Sequence, residues 1–382
     1  MREYVLIFVV AMAVTYLLAV IAREMAMKFG AYARVRDRDV HEIPIPYFGG
    51  VAMMAGLGAA YLVSTQLPFL SNSPSRDVIF HDTRAIVLGG FVMCLVGVID
   101  DIFELDAITK LAGEVLAASI VAVQGIQLYR LPLPGDKSLS MFTLGGSQAA
   151  LITVILIVAT VNAVNFIDGL DGLAAGVVGI GAVAFFTFSV LLVIVNEAER
   201  ATTAALLTAA LAGACFGFLP HNFFPARMFM GDSGALLIGF MLACSAISLT
   251  GRFSPTTLEN GVRGADASLL PALLPLILPI AVLIVPFVDM GLAVVRRTRA
   301  GRSPMAPDKK HLHHRLLEIG HSQRRAVIVM YLWAGLVAFG VVLMSLFSGW
   351  LSALGLTSMA IVAILLTFGV PGHDGIIKSE DA

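Results

Sequence analysis

The residues able to do chemistry in this 382-residue chain fall in four short segments. Asp100 and Asp101 are adjacent, Asp168 and Asp171 lie in NFIDGLDGL (165–173), and Asp232 lies in HNFFPARMFMGDSG (221–234). His311, His313 and His314 lie in DKKHLHHRL (308–316). Several carboxylates on one face invite a hard divalent cation, and Mg²⁺ takes one or two of them together with substrate phosphates. The glycines beside Asp168, Asp171 and Asp232 allow close backbone approach to a ligand. At Gly231–Gly234 the free amides of a helix start favour an anion such as phosphate. Asp168 and Asp171, three apart at a helix start, are expected to share a face. Asp100 and Asp101 diverge by about 100° around a helix, so one can face a site while the other caps or pairs elsewhere. Any one of these aspartates alone reads equally well as a helix cap. The set points to phosphate chemistry.

The histidine cluster lacks the H-E-x-x-H spacing of a metalloprotease. Beside Lys309, Lys310 and Arg315, His311, His313 and His314 suit a grip on phosphate oxygens, with a solvated basic loop as the plain alternative. Phe229, in a loop just before the Gly-Asp pair, can stack on a base or anchor the chain at the membrane interface. Asn222 can read a base edge or satisfy backbone groups.

The elements that must hold these residues are membrane helices. Hydrophobic residues make up 58% of the chain and charged residues only 13%, too much apolar surface for a soluble protein of this length. The mean hydropathy is +0.90. The 25 basic and 26 acidic residues nearly cancel, which argues against a nucleic-acid partner. Cys94, Cys215 and Cys244 all lie in apolar stretches and read as small core residues. The first apolar run has neither a basic n-region nor an A-x-A site and is read as a retained anchor.

Segments long enough to cross a bilayer core of about 30 Å are expected near 4–22, 47–66, 83–100, 111–128, 148–164, 174–195, 201–219, 235–250, 269–294, 325–347 and 351–370. Each must be helical, because lipid offers no partner to exposed backbone amides. The expectation is an all-α, polytopic integral membrane helical bundle of about eleven transmembrane helices. It forms a single catalytic domain over 1–370 with a tail over 371–382. The ninth segment carries Pro271, Pro275, Pro279 and Pro286 and is expected to bend or tilt. The long basic loops 23–46 and 295–324 put the N-terminus outside and the C-terminus in the cytoplasm. All four chemical segments then fall on the cytoplasmic face.

Taken in order, PIPYFGG (44–50), the Asp100-Asp101 pair, NFIDGLDGL, N-x6-F-M-G-D-S-G and H-L-H-H-R resemble the polyprenyl-phosphate N-acetylhexosamine-1-phosphate transferase family. The resemblance spans nearly the whole chain. It implies a helical bundle of ten or eleven helices with a cytoplasmic cleft in the cell membrane. It also implies a reaction in which a lipid phosphate attacks the β-phosphate of a UDP-sugar and releases UMP. By the same resemblance Asp232 is the Mg²⁺ ligand (Mn²⁺ as substitute), and Asp100 and Asp101 activate or orient the lipid phosphate. Asp168 and Asp171 fall at nucleotide-sugar and supporting positions. Asn165, Asn222 and Phe229 contact the nucleotide-sugar, and Lys110 lies near the lipid phosphate. The three histidines with Arg315 grip the diphosphate. A homodimer is compatible with it.

Leu312 interrupts the three consecutive histidines of the muramoyl-pentapeptide branch, and Ile45 and Tyr47 replace its T-P-T-M-G-G segment. Both departures resemble the N-acetylglucosamine-1-phosphate branch, which implies UDP-N-acetylglucosamine as donor and deca- or undecaprenyl phosphate as acceptor. The alternatives are the muramoyl-pentapeptide reaction and a multi-pass transporter. A transporter would want its polar residues near the midplane rather than at one interface.

Overall fold

The computed structural model describes residues 1–32, 45–134, 139–195, 201–250, 273–281, 298, 322–346 and 350–368. Nearly all of this is helix. In chain order the elements are α1 (Arg2–Phe29), α2 (Gly49–Ser64), α3 (Pro68–Ser71), α4 (Arg76–Phe103) and α5 (Ala107–Val123). A hairpin of β1 (Arg130–Pro134) and β2 (Leu139–Thr143) follows. Then come α6 (Gly146–Ile167), α7 (Leu173–Val195), α8 (Ala201–Asn222), α9 (Gly231–Thr250), α10 (Gln323–Leu346) and α11 (Trp350–Phe368). A further helical stretch covers 273–281.

Among the described residues, seven helices are long and apolar enough to cross a membrane: α1, α4, α6, α7, α8, α9 and α10. The chain is a multi-pass membrane protein. The segments expected at 47–66 and 111–128 are helical but short, with 16 residues in α2 and 17 in α5. Most of the proline-bearing ninth segment lies outside the described residues. The described residues are mostly helical, as expected, with one short β-hairpin that was not expected. The antiparallel hairpin pairs Arg130 with Thr143 and Pro134 with Leu139 between α5 and α6. Gly125, with φ of 83°, follows the end of α5 and lets the chain leave the helix before the first strand.

The bundle is built around α9, whose side chains from Ser233 to Thr250 are all buried. Without a hydrophobic force between helices in lipid, close backbone approach through small residues does the packing. Gly213 and Gly217 of α8 face α1 so closely that a Cβ at either would overlap the backbone of Phe8 or Met12. On α1 the inward stripe is mostly alanine (Ala11, Ala19, Ala22, Ala26), while Val5, Leu17, Val20 and Ile21 remain exposed for lipid. Gly97 of α4 and Gly50 of α2 both touch the backbone of Ser233 at the start of α9. These two glycines bring three helix ends to one point.

Candidate active site

The turn between α4 and α5 creates the centre of the site. α4 ends with Glu104 at φ of 51°, its N–H donating to Asp100 O. Two residues later Asp106 caps α5, accepting from the N–H groups of Ile108 and Thr109. The hydroxyl of Thr109 also donates to Asp106 and holds its carboxyl below the usual range. The chain therefore reverses within a few residues, and Lys110, one turn into α5, returns beside the end of α4.

Lys110 Nζ donates to Asp100 Oδ2 at 2.9 Å and to Asp232 Oδ2 at 2.5 Å. Asn165, at the end of α6, completes the group once its side-chain amide is turned so that both ends find partners: in that orientation the oxygen accepts from Lys110 Nζ at 3.0 Å and the nitrogen donates to Asp232 Oδ1 at 2.9 Å. An ammonium has three N–H donors, and here α4, α6 and α9 take one each. Asp100 also accepts from Leu105 N at 2.7 Å.

Asp101 faces the other way, as adjacency on a helix requires. Its Oδ1 accepts from Asp232 N at 2.7 Å and its Oδ2 from Ser233 N at 3.3 Å. The amides expected to be free for a phosphate are thus occupied by a carboxylate from α4. Gly231, at φ of 69°, packs its Cα against that carboxylate, and a side chain there would collide with it.

The NFIDGLDGL segment departs from expectation. Asp168 and Asp171 do not share a helical face, because 168–172 is a turn and α7 begins only at Leu173. Asp168 stays beside the cluster, where burial first, and then the charges of Asp232, Asp101 and Asp171, push its carboxyl up to about 7. Asp171 Oδ2 accepts from Ala226 N at 2.9 Å. Asn222 Oδ1 accepts from Gly172 N at 3.0 Å and its Nδ2 donates to Met228 O at 3.1 Å. Both residues join the 168–172 turn to the 223–230 loop, and Asn222 is buried and spent on backbone groups. Of its two sequence-level roles, satisfying backbone is the one this geometry displays.

The same loop is fixed from two more sides. Phe229 N donates to Pro46 O, and Gly49 N and Gly50 N donate to Phe229 O and Met230 O, so residues 46–50 run along it. The half-buried Phe229 ring lies 6.2 Å from Tyr47. Arg324 of α10 donates to Phe224 O at 3.0 Å, and Tyr331 OH donates to Gly172 O at 2.5 Å.

Asp100, Asp101, Lys110, Asn165, Asp168, Asp171, Asn222, Phe229 and Asp232 therefore meet at one end of the bundle. His311, His313, His314 and Arg315 lie outside the described residues. Glu114 and Asn162, which carry no motif, were missed. Their signal is that Glu114 is the one charged residue in the apolar run 111–128, and that Asn162 precedes Asn165 by three.

Comparison with known proteins shows the family. The sequence pattern of "Glycosyl transferase family 4" matches residues 83–250. A decaprenyl-phosphate N-acetylglucosaminephosphotransferase of Mycolicibacterium smegmatis is 42% identical over 371 residues, covering 96% of this chain and 88% of the relative. This chain belongs to glycosyl transferase family 4. A probable undecaprenyl-phosphate N-acetylglucosaminyl 1-phosphate transferase of Bacillus subtilis is 31% identical, over 96% of this chain and 90% of its own length. An undecaprenyl-phosphate alpha-N-acetylglucosaminyl 1-phosphate transferase of Yersinia pestis is 26% identical over 88% of this chain and 82% of its own. The family-4 match runs from within α4 to the last residue of α9, so it contains the whole Lys110 cluster and stops before His311.

Proposed function

We propose that this chain transfers N-acetylglucosamine-1-phosphate from UDP-N-acetylglucosamine to a deca- or undecaprenyl phosphate. An oxygen of the lipid phosphate bonds to the β-phosphorus of the donor, the bond from that phosphorus to the bridging oxygen breaks, and UMP leaves. The observation that carries this reading is Lys110, held by three partners from three helices, in a chain similar over most of its length to enzymes named for that transfer.

Phosphoryl transfer asks a protein for positioning and for charge stabilisation more than for covalent chemistry. Lys110 supplies the cation for the acceptor phosphate, which takes over one of the three N–H directions now held by Asp100, Asp232 and Asn165. A phosphate monoester needs no strong base, so Asp100 acts by holding Lys110 in place. Asp101 acts by fixing the start of α9, and with it the Asp232 carboxylate. Asp171 and Asn222 hold the 223–230 loop, whose Phe229 offers a ring face to the uracil.

The all-oxygen donors here, Asp232 with Asp168 beside it, suit Mg²⁺ or Mn²⁺. Among the described residues no three His, Cys, Asp or Glu side chains converge as a ready-made metal set. That fits a cation completed by substrate oxygens. Bound at Asp232, such a cation would neutralise the developing charge on the donor's diphosphate. His311, His313, His314 and Arg315 are assigned to the same diphosphate.

Nucleotide-sugars are cytoplasmic, so the site belongs on the cytoplasmic face of the cell membrane. A reporter fused at 305 should then read as cytoplasmic and one at 258 as external; the reverse would refute the orientation. The deciding assay offers purified protein UDP-N-acetylglucosamine, UDP-N-acetylgalactosamine and UDP-N-acetylmuramoyl-pentapeptide with one polyprenyl phosphate. UMP formed from the first alone is expected. Preference for the pentapeptide donor would move the chain to the other branch, and no UMP from any donor would end the transferase reading.

A further inference from the structure

Beneath the Lys110 cluster lies a second polar contact. Glu114 stands one turn further along α5 from Lys110, and Asn162 one turn back along α6 from Asn165. Asn162 Nδ2 donates to Glu114 Oε2 at 2.5 Å and to Val158 O at 2.9 Å. The two helices thus meet through two rungs, Lys110–Asn165 at the site and Glu114–Asn162 below it. Both rungs line one cleft of about 180 Å³, together with Leu111 and Phe166. Glu114 is 1% exposed. A carboxylate inside an apolar helix pair is costly, and one that faces a cleft rather than lipid marks a functional position.

We propose that Glu114, held by Asn162, is a positioning residue that sets where the Lys110 ammonium stands, and so where the acceptor phosphate stops. This rests on the transfer reaction proposed above. Two physical effects support it. The first is register. Sliding α5 by one residue moves Lys110 about 1.5 Å along the axis and turns it by about 100°. Leu111 and Phe166 tolerate such sliding, because apolar contact is non-directional. A buried carboxylate that must keep its hydrogen bond does not. The second is charge. An anionic headgroup entering the cleft is drawn to Lys110 and repelled by Glu114 one turn below, so it halts at the upper rung.

The test compares full-length wild type, Glu114→Gln, Glu114→Ala and Asn162→Ala, purified in nanodiscs, by UMP release and thermal melting. Glu114→Gln keeps shape and hydrogen bond but removes the charge. It should fold, lose about 10- to 100-fold in kcat, and change KM for polyprenyl phosphate but not for UDP-N-acetylglucosamine. The alanine variants should lose at least as much. A merely structural rung would lower the melting temperature of the alanine variants and leave kcat and both KM values of the folded protein unchanged. That outcome overturns the proposal, as does failure of all three variants to fold. Absence of UMP from the wild type would instead take down the underlying reaction, and it is distinguished because no variant is needed to see it.

Discussion

Asp101 holds Asp232 by its backbone and leaves its side chain free for other partners. The Asp232 N–H donates to Asp101 Oδ1 at 2.7 Å, while the Asp232 carboxylate turns to Lys110 and Asn165. A cap at the start of α9 therefore aims the residue assigned to the metal. Asp101→Ala should lower stability by about 1–2 kcal/mol, the usual worth of an N-cap side chain, and abolish most turnover. Asp101→Asn retains one acceptor oxygen and should keep more of both. Melting curves and UMP release on the two variants check the ranking; equal behaviour would mean that Asp101 does not act as a cap.

Asp232→Asn should insert and purify like wild type yet show no turnover, because a neutral amide is a poor Mg²⁺ ligand. EDTA should silence the wild type, and Mg²⁺ or Mn²⁺ should restore it. Full activity in excess chelator would remove the cation from the scheme.

Phe229 is half-buried beside Tyr47. If its ring stacks on uracil, Phe229→Ala should raise KM for the UDP-sugar by an amount equivalent to about 1–3 kcal/mol, with kcat little changed. An unaltered KM returns Phe229 to the role of interface anchor.

Gly97 links packing to the site. It lies against the backbone of Ser233, so a methyl group there must push α4 away from α9. Gly97→Ala should cost about 1–3 kcal/mol by overpacking. Because it separates Asp101 from the amides of Asp232 and Ser233, it should cut kcat as well. A destabilised variant with normal kcat would uncouple the helix contact from the site.

Asp168, pushed up to about 7 by burial and by neighbouring carboxylates, gives a pH-dependent signature. With its folded value above its unfolded one, the favourable contribution is present at low pH and is lost as pH rises towards and through about 7. In EDTA, Asp168→Asn should therefore melt above wild type at pH 8, by about 1–2 kcal/mol after allowance for its partial exposure, and show no gain near pH 4. The melting difference between the two proteins, followed across pH, is the measurement. A difference that stays flat would show that the carboxyl titrates normally.

Long apolar runs such as those around α1, α4 and α6–α9 were legible in the sequence. Lipid forces backbone hydrogen bonding inside each segment, so a segment of sufficient length declares its own structure. The order of the aspartate motifs was legible for the same reason, because alternating crossings send every second connection to one face. The hairpin at 130–143 was not. Its pairing depends on register between two five-residue strands, one with prolines at 132 and 134, and carries no helical period.

The sequence determined which carboxylates share an end of the bundle, and tertiary structure alone decided what each one does there. Asp100 and Asp101 are neighbours of the same type, yet one meets a lysine ten residues away and the other meets amides 131 and 132 residues away. Asn222 is drawn to Gly172 across 50 residues, and Glu114 to Asn162 across 48. A buried polar atom takes whatever partner packing brings within about 3 Å. Here that distance is set by where Gly50 and Gly97 let α2 and α4 close on α9, a contact between helices that no local pattern encodes.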